Sequence, residues 1–110
     1  MSTLTPGRIR HTVSFTLIHE PGSTEERDFL AAQAALGAIP GVEAYELLRE
    51  VSPKNGFRFG CSMEFEGPDA YQAYNEHPDH VAFVRDRWQA EVNDFLEIDY
   101  EALDEAPTPG

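Results

Sequence analysis

Ile9-Arg10-His11-Thr12-Val13-Ser14-Phe15-Thr16-Leu17-Ile18 decides the fold. Ile9, His11, Val13, Phe15 and Leu17 share one face, and Arg10, Thr12, Ser14 and Thr16 share the other. Strict alternation with β-branched and aromatic residues predicts a half-buried strand. The imidazole of His11 falls on its apolar side. Downstream, His19-Glu20-Pro21-Gly22 breaks the strand, and His19 is expected to be exposed there. Ser23 then offers a helix N-cap with Glu26 as its reciprocal partner. The helix is predicted over 24–38, with Phe29, Ala32, Leu36 and Ile39 buried, and Pro40-Gly41 stops it. A second strand is predicted over 42–51 and a third over 57–65, where Phe57, Phe59, Cys61, Met63 and Phe65 share a face. Between them Asn55-Gly56 is expected to supply the positive φ values of a tight hairpin.

Further on, Gly67-Pro68-Asp69 opens a short helix that Pro78 ends near His77. Asp79 is expected to cap the next helix, over 80–93, whose Val81, Val84, Trp88 and Val92 recur at helical spacing. Residues 95–100 read as a last strand. The order is βαββαβ, an α+β ferredoxin-like pattern: a four-stranded antiparallel sheet with helices on one face. The domain is expected to span 8–101, with flexible termini at 1–7 and 102–110. The face of the sheet away from the helices carries Arg10, Thr12, Ser14, Thr16, Arg58, Ser62 and Glu64, yet also Ile18, Leu48, Leu96 and Ile98. A second copy covering that face is the natural solution, so the expected partner is the protein itself, as a homodimer through its sheet faces. The bland alternative is a hydrated sheet back.

The chain has 110 residues, 41% of them hydrophobic, enough for one domain with a real core. Its formal net charge is −12, from 20 acids against 8 bases, which argues against nucleic acid and anionic membranes as partners. No apolar run is long enough to span a bilayer and no signal segment opens the chain, so a soluble, cytoplasmic protein is expected. Cys61 is the single cysteine, and reads as a small core residue.

The densest chemistry lies in Tyr74-Asn75-Glu76-His77-Pro78-Asp79-His80-Val81-Ala82-Phe83. A neutral imidazole at His80 suits a general base, and a phenol at Tyr74 suits a hydrogen-bond donor to a developing alkoxide. His11 would orient either one or bind a ligand oxygen. Val13, Phe15, Phe29, Phe59, Met63, Phe83, Val84 and Trp88 are the expected walls of a cavity for a small apolar or aromatic ligand. The bland reading makes the same histidines and Tyr74 satisfied core groups. His77, before a proline, reads as structural. No metal and no cofactor are expected. Pro78 spoils helical presentation of His77 and His80, and no Ser-His-Asp motif, phosphate loop or dinucleotide fingerprint appears.

Ile9 through Phe15, Ile39-Pro40-Gly41-Val42, Phe65, Tyr74 through Phe83 with His77-Pro78-Asp79-His80, and Phe95 through Tyr100 together resemble the stress-responsive dimeric α/β-barrel (Dabb) family. The resemblance runs over about residues 8–101. It implies a protomer whose sheet pairs with that of a second copy to close a barrel, and a stress-associated role. Within the family, the segment is similar to that of olivetolic acid cyclase-type polyketide cyclases. That similarity implies Tyr74 and His80 as acid–base residues, with His11 as a further pocket histidine. Phe59 stands where such a cyclase has another pocket histidine, so the ligand shape differs. The alternatives are a non-catalytic dimeric ligand-binding protein, or a monooxygenase on the same barrel, in whose haem-using version a pocket histidine would bind haem iron.

Overall fold

The computed structural model describes residues 4–103. The parts of the expected flexible termini at 1–3 and 104–110 lie outside the described residues. Strand β1 (Ile9–Leu17) is followed by helix α1 (Thr24–Ala34) and a 3-10 turn (Ala35–Ala38). Strands β2 (Glu43–Arg49) and β3 (Phe59–Phe65) come next, then helix α2 (Pro68–Glu76). Helix α3 (Pro78–Phe83) runs through a π-helical stretch (Val84–Trp88) into α4 (Gln89–Glu91), and β4 (Val92–Tyr100) closes the fold. The sheet order is β2-β3-β1-β4 and every pairing is antiparallel. This is the ferredoxin-like arrangement.

Both apolar strand faces meet the helices. His11, Val13, Phe15 and Leu17 of β1, and Phe59, Cys61, Met63 and Phe65 of β3, are all buried. Register sets His11 opposite Met63, Val13 opposite Cys61 and Phe15 opposite Phe59. Phe29 of α1 sits 6.0 Å from the Phe15 ring and 5.4 Å from that of Phe83. Half of the capping box at the start of α1 forms: Ser23 Oγ accepts from the Glu26 amide, but the Glu26 carboxylate accepts from the Gly22 amide, one residue beyond the cap, because the Ser23 amide is taken by the Glu20 carbonyl. Gln33, absent from the expected stripe, is buried between Phe29 and Leu36.

Four local expectations change. The β2–β3 turn is not a tight hairpin, because neither Asn55 nor Gly56 has a positive φ. Glu50 organises a wider loop instead, accepting from the Ser52 amide and from Asn55 Nδ2, while Asn55 Oδ1 accepts from the Phe57 amide. Side chain to backbone bonds of this kind replace the backbone geometry a short turn needs. Second, β2 is irregular: Ala44 has φ +49°, and the pairing with β3 shifts register between Glu43 and Glu46. This bulge turns Tyr45 inward, where its hydroxyl donates to the Gln33 carbonyl at 2.8 Å. Third, Asp79 is not the cap of α3. The residue before a proline is held extended, and Pro78 occupies the first helical position, so the cap must be His77. Its Nδ1 accepts from the Asp79 amide at 3.1 Å. Fourth, His19 is not exposed: its Nε2 lies 2.7 Å from Glu91, itself bound to Arg87, and ties the end of β1 to the helix before β4.

Candidate functional site

A cavity of about 470 Å³ lies between the sheet and the helices. From β1 come His11 and Val13, from β3 Cys61 and Met63, and from α1 and its 3-10 turn Gln33 and Leu36. The α2–α3 corner supplies Tyr74, Asn75, His80 and Phe83, while Val84, Trp88 and Gln89 close the helical wall. Phe95 and Glu97 of the edge strand β4 complete it on the side where both are exposed. Of the walls expected from sequence, Val13, Met63, Phe83, Val84 and Trp88 line the cavity. Phe15, Phe29 and Phe59 do not: they fill the core beside it, with the Phe15 ring 5.6 Å from that of Phe59 and 5.2 Å from that of Trp88. Packing decided this, because alternation places a side chain on a face without saying whether a neighbour fills the space above it.

His11, Tyr74 and His80 do come together. The rings of Tyr74 and His80 are 4.4 Å apart and those of Tyr74 and His11 are 6.4 Å apart. The break at Pro78 makes this possible: α2 ends at His77, the chain turns, and His80 in the first turn of α3 folds back over Tyr74. His80 Nδ1 stands 3.1 Å from the Asn75 carbonyl oxygen, so that nitrogen carries the proton and Nε2 is left as an acceptor. Burial, helped by the nearby His11, lowers the His80 pKa below its ordinary value, against the opposing pull of the Asn75 carbonyl and Glu97. The ring is therefore neutral near pH 7 and basic at Nε2. Tyr74 is 2% exposed, and its hydroxyl has no hydrogen-bond partner among the described residues. Burial first, then the Cys61 and Glu97 charges, push its phenol well above the usual range, so it stays protonated and acts as a donor.

Three further groups were not singled out from the sequence. Asp99 Oδ1 is 2.6 Å from His11 Nδ1, and Asp99 Oδ2 accepts from the Tyr71 hydroxyl at 2.9 Å. A carboxylate that close to a ring nitrogen is held by a hydrogen bond, so Asp99 fixes the His11 ring through Nδ1 and turns the opposite edge of the ring away. Strand pairing creates the dyad, since His11 is directly opposite Asp99 across β1 and β4. Period-two reading does place both on the helix side, but the register between the strands is not visible from either strand alone. Glu97 is third: with His11 and Asp99 it brings ligand atoms within 4.8 Å of one another, a geometry open to a cation, although Glu97 and Asp99 are exposed. The Cys61 thiol is pushed up to about 11 by burial and is inert.

The model of the stress responsive A/B barrel domain, Dabb, matches residues 9–102. This chain belongs to the Dabb family. No curated protein matches it. Among solved structures, a Dabb family protein with a ferredoxin-like fold from Mesorhizobium loti is 59% identical, with a TM-score of 0.86 over 88% of this chain and 98% of that one. A dimeric ferredoxin-like protein of unknown function from Thermobifida fusca is 20% identical, with a TM-score of 0.72 over 91% and 95% of the two chains. The hydroxynitrile lyase of Passiflora edulis is 17% identical, with a TM-score of 0.77 over 94% and 100%. At these identities the last two show a shared fold alone. Among the described residues of this Dabb chain, no helix is long and apolar enough to cross a membrane.

Proposed function

We propose that this Dabb protein binds a small apolar or aromatic carbonyl compound in the cavity and performs acid–base chemistry on it, with His80 as base and Tyr74 as acid. The observation that carries the reading is the pairing of a neutral imidazole, its Nδ1 committed to a backbone carbonyl, with a phenol that has no partner among the described residues, the two ring centres 4.4 Å apart on one cavity wall. In an aldol-type ring closure, His80 Nε2 takes a proton from the carbon next to a ligand carbonyl. The resulting enolate carbon bonds to a second carbonyl carbon, whose oxygen takes the Tyr74 proton. The imidazolium then returns its proton to the tyrosinate, leaving both groups as they began. Asp99 positions His11 beside them. A carbon–carbon bond made or broken next to oxygen also fits the name of the distant lyase.

The test uses a linear poly-β-keto thioester and mandelonitrile as probes. Turnover of either should fall by about 100-fold or more in His80→Gln, the scale of a lost general base. Turnover equal in the wild type and in His80→Gln would sink the assignment. Ligand binding without turnover of any probe would favour a binding protein.

We also propose a homodimer through the sheet face opposite the helices. Pairing aligns Leu48, Gly60, Ser14 and Leu96 in one row and Glu46, Ser62, Thr12 and Ile98 in the next. Leu48, Leu96 and Tyr100 are 45–51% exposed, an apolar patch on a sheet that a second copy would cover. Light scattering should report twice the chain mass for the wild type and a shift toward single chains for Ile98→Asp. A wild type that is monomeric at micromolar concentration contradicts the dimer.

A further inference from the structure

We infer that Gln33 reads a second polar group on the ligand, so that the cavity selects compounds carrying a hydroxyl or second carbonyl apart from the reacting carbonyl. This rests on the cavity being the ligand site. Gln33 occupies a seat in the buried stripe of α1, between Phe29 and Leu36, that an aliphatic residue would fill without loss. It is 3% exposed, and its side-chain oxygen is buried with no hydrogen-bond partner among the described residues. The amide touches the Cys61 thiol, a weak partner at best. Gln33 lines the same cavity as Tyr74 and His80, but from the helix α1 wall rather than from the α2–α3 corner. The Leu36 and Met63 side chains that line the same cavity offer nothing to an amide oxygen. A buried amide oxygen without a partner is strongly driven to find one. The group that can reach it is part of whatever enters the cavity. The ligand then has two polar points, one for Tyr74 and His80 and one for Gln33, and an apolar body.

The experiment titrates the full chain with benzaldehyde and with meta- and para-hydroxybenzaldehyde by calorimetry, in the wild type and in Gln33→Leu, and melts both proteins without ligand. In the wild type the better hydroxybenzaldehyde should bind about tenfold or more tighter than benzaldehyde, as expected where a site pairs with a ligand hydroxyl. In Gln33→Leu that preference should vanish while benzaldehyde still binds, and the unliganded variant should melt at or above the wild type, since a buried amide oxygen without a partner has been removed. A preference that survives Gln33→Leu overturns the inference and leaves the cavity reading standing. A variant that melts lower than the wild type also overturns it, by making Gln33 a structural residue. If the wild type binds none of the aldehydes, both the inference and the cavity reading fall.

Discussion

The layer between sheet and helices is solid around Phe15 and hollow around His11, four residues away on the same strand. At the solid end Phe15, Phe29, Phe59 and Phe83 are buried and in ring contact. At the hollow end His11, Gln33, Tyr74 and His80 surround open space. The difference follows from side-chain chemistry. Aromatic rings gain by closing every gap, whereas groups that need partners cannot be collapsed onto apolar neighbours without losing them. Close packing is concentrated at the first end and the proposed chemistry at the second.

The contrast is broken most severely at the solid end. Phe29→Ala should destabilise the protein by about 3–5 kcal/mol, read from urea midpoints, because Phe29 is fully buried and its neighbours cannot all follow. A loss below about 1 kcal/mol would mean that this end is not close-packed. At the hollow end, Tyr74→Phe should change stability by less than about 1 kcal/mol, since its hydroxyl has no hydrogen-bond partner among the described residues, while turnover of the probes falls. A large loss of stability in Tyr74→Phe would make it an ordinary core tyrosine.

The smallest effect concerns pH. The native pKa of His80 is below its ordinary value of 6.5, with burial the main cause. Above 6.5 the ring is neutral in folded and unfolded chains alike. As pH falls from 6.5 through the native value, the unfolded chain takes up the proton first, so stability should decline over that window. Stability curves of the wild type and His80→Gln should therefore diverge below pH 6.5 and run parallel above it. Activity should show an acid limb below 6.5, where the base becomes protonated. Parallel curves at all pH values would refute a buried, neutral His80.

Much of the fold was legible. The alternation appears over Ile9–Leu17 and Phe59–Phe65 and the Ser23 cap appears as read, although Glu26 reaches Gly22 rather than the cap; each rests on contacts within one element or on a period set by its geometry. The family, too, was legible in the segment from Tyr74 to His80. The turn at Asn55-Gly56 and the cap at Asp79 misled, since in both places a neighbouring side chain, Glu50 or His77, offered the backbone a better partner than the local pattern suggested. The homodimer is proposed from a face visible in the alternation and in the strand pairing.

By itself, the sequence determined which residues face the helices and where the chain must break. Those are consequences of backbone period and of what proline forbids. Tertiary structure alone decided that Phe59 and Phe29 fill the core while Met63 lines a cavity, that Asp99 holds His11, and that Gln33 is left without a partner. For Gln33 it is the side-chain oxygen alone that lacks a partner among the described residues. Each of these depends on register and packing between elements far apart in the chain, which no single element encodes.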